Sequence, residues 1–560
     1  MKLNKLIYVV PLAVLVIAAG SGCRKGQFNI NKNINNPTDS SVTYDVVMPA
    51  ALNATGAIIA RQWGVIQNWM SWWSRSGTYA PNVTEETYQI TTGFGNGVWN
   101  ACYDNNYDYQ IIQLKANQAG AGFYEGIARI MKAHNFAILV DVYGNVPYSQ
   151  ALKGSTNPTP AYDNGLAIYQ SLLREIDAGI LLIRRAVVTA SNANKNIATN
   201  DIMFGGDRTK WVRFANTLKL RMLIHAYAVT AINKATEIGI INNTTDTTLL
   251  PAVVPYGYLG AGGAGENAQV NPGYSGVDKG NPFYNLYITN TDGTGSANNI
   301  YYKANEWGIE YYKWDGDPRI PRFYVAGSGG LIGVPYGTPP IAIYAAAVVA
   351  GIGPGSAKTA TAPQVILSAS ESYFLQAEAR QGWASTPAII TSGPTAGALL
   401  QSAMNENFAY MGVAIGAYQT NNASYPDVDY AGGLPQCVGC PGGGLYTIIQ
   451  QKWLAMNAID PLEVWTDWRR LPYTETGATK LYIGGNAPTT NFVYGDGGGF
   501  TGGPNSAGSG PFRSKSPQIT PADNIPVRYL YPQTEYNYNT ANVAAQGTIT
   551  RYSRVFWDLN

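Results

Sequence analysis

Residues 206–227, GDRTKWVRFANTLKLRMLIHAY, form a segment that can be buried only between two neighbours. At about 100° per residue, Trp211, Phe214, Ala215, Leu218, Met222, His225 and Ala226 fall on one wide helical face. Leu220, Leu223 and Tyr227 make a second apolar face, roughly opposite. Lys210, Arg213 and Arg221 cluster in the strip between, with Ile224 as the exception. A helix that is apolar on two sides belongs in a stacked helical array. Its cationic stems are expected to lie along apolar surface with their charges at the edge. A nucleic-acid helix would carry a continuous basic face, and a membrane-surface helix a single apolar one. Neither pattern is present, so the segment reads as packing.

Helical spacing recurs over 44–74, 97–118, 122–142, 164–187, 208–230, 368–383, 396–412 and 444–468. Between 242 and 365 it gives way to Gly, Pro, Asn and Tyr, and 428–444 and 485–523 are glycine-rich. The chain therefore reads as one mainly α scaffold over 44–560, with long irregular insertions at about 242–365 and 485–523. Long irregular stretches of this kind tend to be functional surfaces. Charge adds no bias toward nucleic acid: 37 Lys and Arg face 35 Asp and Glu. With only His134 and His225, a multi-histidine metal site is excluded.

The N-terminus carries an address. A basic MKLNK, an apolar LIYVVPLAVLVIAA and a small-residue GSGC read as a signal peptide over 1–22. Cys23 then stands where bacterial lipoproteins are cleaved and lipidated, although Gly20 occupies a position that is usually aliphatic. Residues 23–43 are polar and Asn-rich, as a tether would be. In an exported chain, CVGC at 437–440 favours a small disulfide between Cys437 and Cys440, with free thiols as the alternative.

A set of motifs in fixed order carries a family resemblance. DRTKWVRFANTLKLRMLIHAY, ILVDVYGNVPYSQAL (138–152), WDGDPRIPRFY (314–324), GVPYG (333–337) and SASESYFLQAEARQGW (368–383) are followed by IIQQKWLAMNAIDPLEVWTDWRRLPYT (448–474) and IPVRYLYPQTEYNYNTANV (525–543). Together they resemble the SusD/RagB family of outer-membrane nutrient-binding lipoproteins. The resemblance implies a mainly α fold, a superhelix of tetratricopeptide-like helical pairs whose long loop insertions carry the binding surface. It implies a surface-exposed, lipid-anchored protein of the outer membrane that captures glycan and passes it to a SusC-like TonB-dependent transporter. A RagB-like peptide binder is the alternative within that class.

Glycans offer apolar C–H faces to aromatic rings and hydroxyls to amides and carboxylates. NWMSWWSRSGTYAPN (68–82) and YYKANEWGIEYYKWDGD (301–317) concentrate such rings near loops, making Trp73, Tyr79, Trp307, Tyr312 and Trp314 the candidate ligand contacts. Each has a second reading as a core aromatic. Enzymatic signatures are missing: GIGPGSAKTA lacks P-loop spacing, and neither HExxH nor GxSxG occurs. Glu371, Glu378, Glu463 and Asp467 lie in predicted helices, where pairing with Lys or Arg is expected. A surface hydrolase and a lid without ligand affinity are the competing readings from other classes. No cofactor is implied, although DGD at 315–317 and DGGG at 496–499 could contribute oxygens to calcium.

Overall fold

In the computed structural model, the described residues are 42–242, 257–276, 279–290, 292–314, 316–355, 358–383, 387–423, 428–431, 444–471, 486–488, 509–511 and 525–559. Cys23, Cys437 and Cys440 lie outside them, as do the signal segment, nearly all of the tether and most of 485–523. Tyr44–Asn560 forms one compact unit.

Seven helices stack in sequence: α1 (Tyr44–Arg61), α2 (Asn96–Ala119), α3 (Gly122–Tyr143), α4 (Gly165–Arg185), α5 (Arg208–His225), α6 (Ala369–Gln381) and α7 (Ala396–Met411). Each packs on the next, and α8 (Gly444–Met456) lies across α6 and α7 and against α9 (Pro461–Arg470). The fold is mainly α, built of tetratricopeptide-like helical pairs. Local chemistry sets the helix ends. Asn164, Asp207, Ser368, Thr395 and Asp460 accept backbone N–H bonds at the starts of α4, α5, α6, α7 and α9. Gly144 closes α3 at φ +78, a region that glycine enters without penalty.

Two predicted helices prove to be broken. The segment 44–74 ends its long helix at Arg61, resumes briefly over Gly64–Trp69, then turns at Ser71 (φ +57) into a strand. The run WMSWW continues the apolar spacing across that turn, which hides it. The segment 444–468 breaks between Met456 and Pro461, where Ala458 is left-handed and Asp460 caps the next helix. Pro461 at the first helical turn marks that boundary.

α5 is buried on both predicted faces. Its charges are not held at the edge as expected. Lys219 is fully buried and paired with Asp177 and Glu237, each at 2.7 Å. Arg221 is buried against Glu371, Asp460 (3.0 Å) and Glu463 (3.5 Å). Carboxylates from helices packed on either side reach inward, so the neutralising partner lies inside. Lys210 does remain exposed.

Within 257–365 the longest helix, Glu306–Trp314, has 9 residues. The rest of its described residues form shorter helices, turns and two-stranded ladders, including β1 (Trp73–Arg75) with β3 (Tyr302–Ala304) and β2 (Ala268–Val270) with β4 (Gln364–Leu367). Among the described residues no helix is long and apolar enough to cross a membrane.

Candidate functional site

β1 and β3 pair antiparallel, joining the two aromatic segments singled out in the sequence. Trp73 is fully enclosed, with Tyr287 at 5.0 Å, Tyr302 at 5.6 Å and Phe283 at 6.2 Å between ring centroids. Tyr312 is likewise enclosed; its hydroxyl donates to the Leu454 carbonyl at 2.7 Å and its ring packs on Phe323 and Trp453. Both are therefore corrected to core aromatics, because neither offers a ring face to a ligand. Trp307 is half-buried against the core at the start of its helix. Trp314 ends that helix, and its side chain lies outside the described residues.

Tyr79 is half-buried on the loop after β1 and stands 5.3 Å from Tyr301, ring to ring. Tyr301 was not among the residues chosen from the sequence. The periodicity of its own segment gives no hint of it, since its partner lies more than two hundred residues away.

The Tyr79 loop is held from beneath. Buried Arg75 donates from Nε to Glu86 at 2.5 Å, from Nη2 to the Thr338 carbonyl at 2.5 Å, and from Nη1 to the Tyr79 carbonyl. The Gly77 amide donates to the Tyr344 carbonyl at 2.7 Å, and Thr78 Oγ1 accepts from the Ala346 amide at 2.9 Å. Segment 341–346, which carries the exposed Ile341 and Ile343, is thereby strapped alongside the loop. Below, burial and the neighbouring Glu86 push the Glu85 carboxyl up to about 7, against a lowering hydrogen bond from Asn82. Burial and then the Glu85 carboxylate raise the Tyr301 phenol.

The densest charge cluster lies elsewhere and is sealed. Glu463 meets Lys452 at 2.6 Å and His225 at 2.8 Å; Asp467 meets Lys452 at 2.9 Å; Glu378 meets Arg470 at 2.6 Å. With Glu371 on Arg221, all four acids expected to pair do so, each nearly inaccessible. A cavity of about 20 Å³ beside His134, Asp141, Arg221, His225 and Glu463 has room for a water and not for a substrate. Burial lowers His134 to about 4. For His225 burial also lowers, but Glu463 and Asp141 outweigh it and raise the imidazole to about 9.

Of the calcium candidates, Asp317 is taken by Arg319 at 2.6 Å, while Asp315 and 496–499 lie outside the described residues. Among the described residues no group of three or more His, Cys, Asp or Glu is placed to hold a metal. Cys102 is a buried free thiol.

An open cleft of about 330 Å³ lies between Lys313–Pro318 and Ala414–Asn422, with Tyr418, Asn421 and Asn422 in its wall. It borders the C-terminal end of the 301–317 segment.

With this architecture in view, a SusD-like family model, described as "Starch-binding associating with outer membrane", matches residues 35–257 and 278–489. The chain belongs to the SusD-like family. Solved SusD structures agree on the fold. A chitin-binding SusD homologue from Flavobacterium johnsoniae is 19% identical, with TM-score 0.63, covering 92% of this chain and 99% of that one. A SusD homologue from Bacteroides uniformis is 18% identical with TM-score 0.63 over 92% and 99%. A SusD/RagB family protein from Bacteroides thetaiotaomicron is 18% identical with TM-score 0.63 over 93% and 100%. Among curated proteins none matches significantly.

Proposed function

We propose that this SusD-like protein is a glycan-binding lipoprotein of the outer membrane, facing outward, which captures oligosaccharide or polysaccharide and delivers it to a SusC-like TonB-dependent transporter. The observation that carries this reading is the Tyr79–Tyr301 pair, 5.3 Å apart on a loop fixed by the buried Arg75–Glu86 ion pair. Two tilted rings on a rigid support make a platform on which pyranose C–H faces stack at little entropic cost. Trp307 is proposed as a flanking contact, and Trp314 is retained as a candidate from its place beside the open cleft. Cys23 is the proposed lipid attachment point, following a signal peptide over 1–22, and Cys437–Cys440 a proposed disulfide.

The family description, starch-binding and outer-membrane-associated, supports the ligand class and the location. Binding without chemistry is the favoured mode, since Glu371, Glu378, Glu463 and Asp467 are all occupied by buried ion pairs. One observation favours a peptide ligand instead: Ile341 and Ile343 are exposed on the segment strapped to the Tyr79 loop and could take apolar side chains.

Affinity gels over a polysaccharide panel, with oligopeptide mixtures run in parallel by calorimetry, test the proposal on the chain from Cys23 onward. Retardation by a glycan, weakened roughly 5- to 30-fold by Tyr79→Ala or Tyr301→Ala, is expected, consistent with about 1–2 kcal/mol of lost stacking. Heat from peptides alone would transfer the assignment to peptide capture.

A further inference from the structure

The opposite face of the β1–β3 ladder carries chemistry that the fold leaves unused. Ser74 and Lys303 are direct partners in the antiparallel register, so their side chains project to one face. Ser76, two residues on, joins that face, and its amide extends the ladder by donating to the Tyr301 carbonyl at 2.8 Å. Trp73, Arg75 and Tyr302 take the other face, where ring packing and the Glu86 ion pair occupy them. By contrast, Ser74 Oγ and Ser76 Oγ are buried and, among the described residues, find no hydrogen-bond partner.

Lys303 is only 6% exposed, and among the described residues its ammonium has neither a counter-ion nor a hydrogen-bond acceptor. Burial is the one influence acting on it, and it lowers the pKa. Gly351 flanks the ammonium without a side chain; a Cβ there would stand 3.6 Å from Nζ. A buried cation without a partner is costly, and so is a buried hydroxyl without one. A single positive charge held in this way matches a singly charged, multi-oxygen anion.

We infer that Lys303, on the face it shares with Ser74 and Ser76, is the anion-recognising group of the Tyr79–Tyr301 site, and that its ligand is a glycan bearing carboxylate or sulfate-ester groups. This rests on the glycan reading above. The rings hold the sugar faces, and the ammonium selects the acidic substituent.

Matched pairs of oligosaccharides test it by calorimetry on the full mature chain. Oligogalacturonate is compared with its carboxyl-reduced counterpart, and a carrageenan oligosaccharide with its desulfated counterpart. At least one acidic member should bind roughly tenfold or more tighter than its neutral twin, and which one does identifies the anion. Lys303→Met should abolish that preference, so that acidic and neutral members bind alike, and the free variant should melt no lower, since an uncompensated charge has gone. Equal binding within both pairs overturns the inference on the wild-type chain alone. A preference that persists in Lys303→Met also overturns it. Equal binding keeps the glycan reading, whereas no binding of any glycan overturns both.

Discussion

Trp73 and Tyr79 lie six positions apart and take opposite roles, a difference decided by burial rather than by residue type. Trp73→Ala is expected to destabilise the protein by about 3–5 kcal/mol, because it empties a site lined by Phe283, Tyr287 and Tyr302. Tyr79→Ala should leave the melting temperature nearly unchanged and act on ligand affinity, so paired melting and binding curves separate the two roles. His225 makes a pH-dependent contribution. Its folded pKa is raised to about 9 from an ordinary value near 6.5, so its stabilisation is complete below that ordinary value. It is lost as pH rises through about 9. Unfolding free energies measured from pH 6 to pH 10 should fall by roughly 3 kcal/mol, an order-of-magnitude figure, and His225→Asn should flatten that slope.

At the scale of elements, the supports of the binding loop are buried polar pairs rather than apolar contacts. Arg75→Met would leave Glu86 buried and unpaired, and would release the Thr338 and Tyr79 carbonyls. A loss of about 3–5 kcal/mol is expected, together with weaker ligand binding as the loop loosens. The double variant Arg75→Met, Glu86→Gln should recover part of the stability but not the affinity, and denaturant titration beside calorimetry checks both. Helix ends behave more simply. Asp207→Ala removes a carboxylate that accepts from the Thr209 and Lys210 amides at the start of α5, a loss of about 1 kcal/mol.

Across the whole molecule, the C-terminal segment locks the helical array. Trp557 Nε1 donates to Asp141 at 2.8 Å, the Tyr529 amide to the Val142 carbonyl at 2.9 Å, and Trp465 Nε1 to the Pro526 carbonyl at 3.0 Å. Arg469 lies 3.7 Å from the Trp465 ring and 4.6 Å from that of Trp557. Ending the chain before residue 525 should therefore strip the partners of α3 and α9 and abolish cooperative unfolding in calorimetry. A truncated chain that still melted cooperatively would show that the array stands without this strap.

The sequence by itself determined the helices of the scaffold, because apolar spacing and cap residues are local and repeat at a fixed period. α2, α3, α4, α6 and α7 end within about two residues of the predicted limits, and the motif order was enough to indicate the family. The turn at Ser71 escaped because WMSWW keeps the helical apolar pattern through it, and the edge position expected for the charges of α5 failed because their partners come from other helices. Only the tertiary structure decided which aromatics are core and which are surface, since a ring's burial depends on what folds over it. Pairing β1 with β3 across more than two hundred residues enclosed Trp73, brought Tyr79 to Tyr301, and left Lys303 without a counter-ion among the described residues. Such pairings carry no local signal, because the partners share no period and no neighbouring residues.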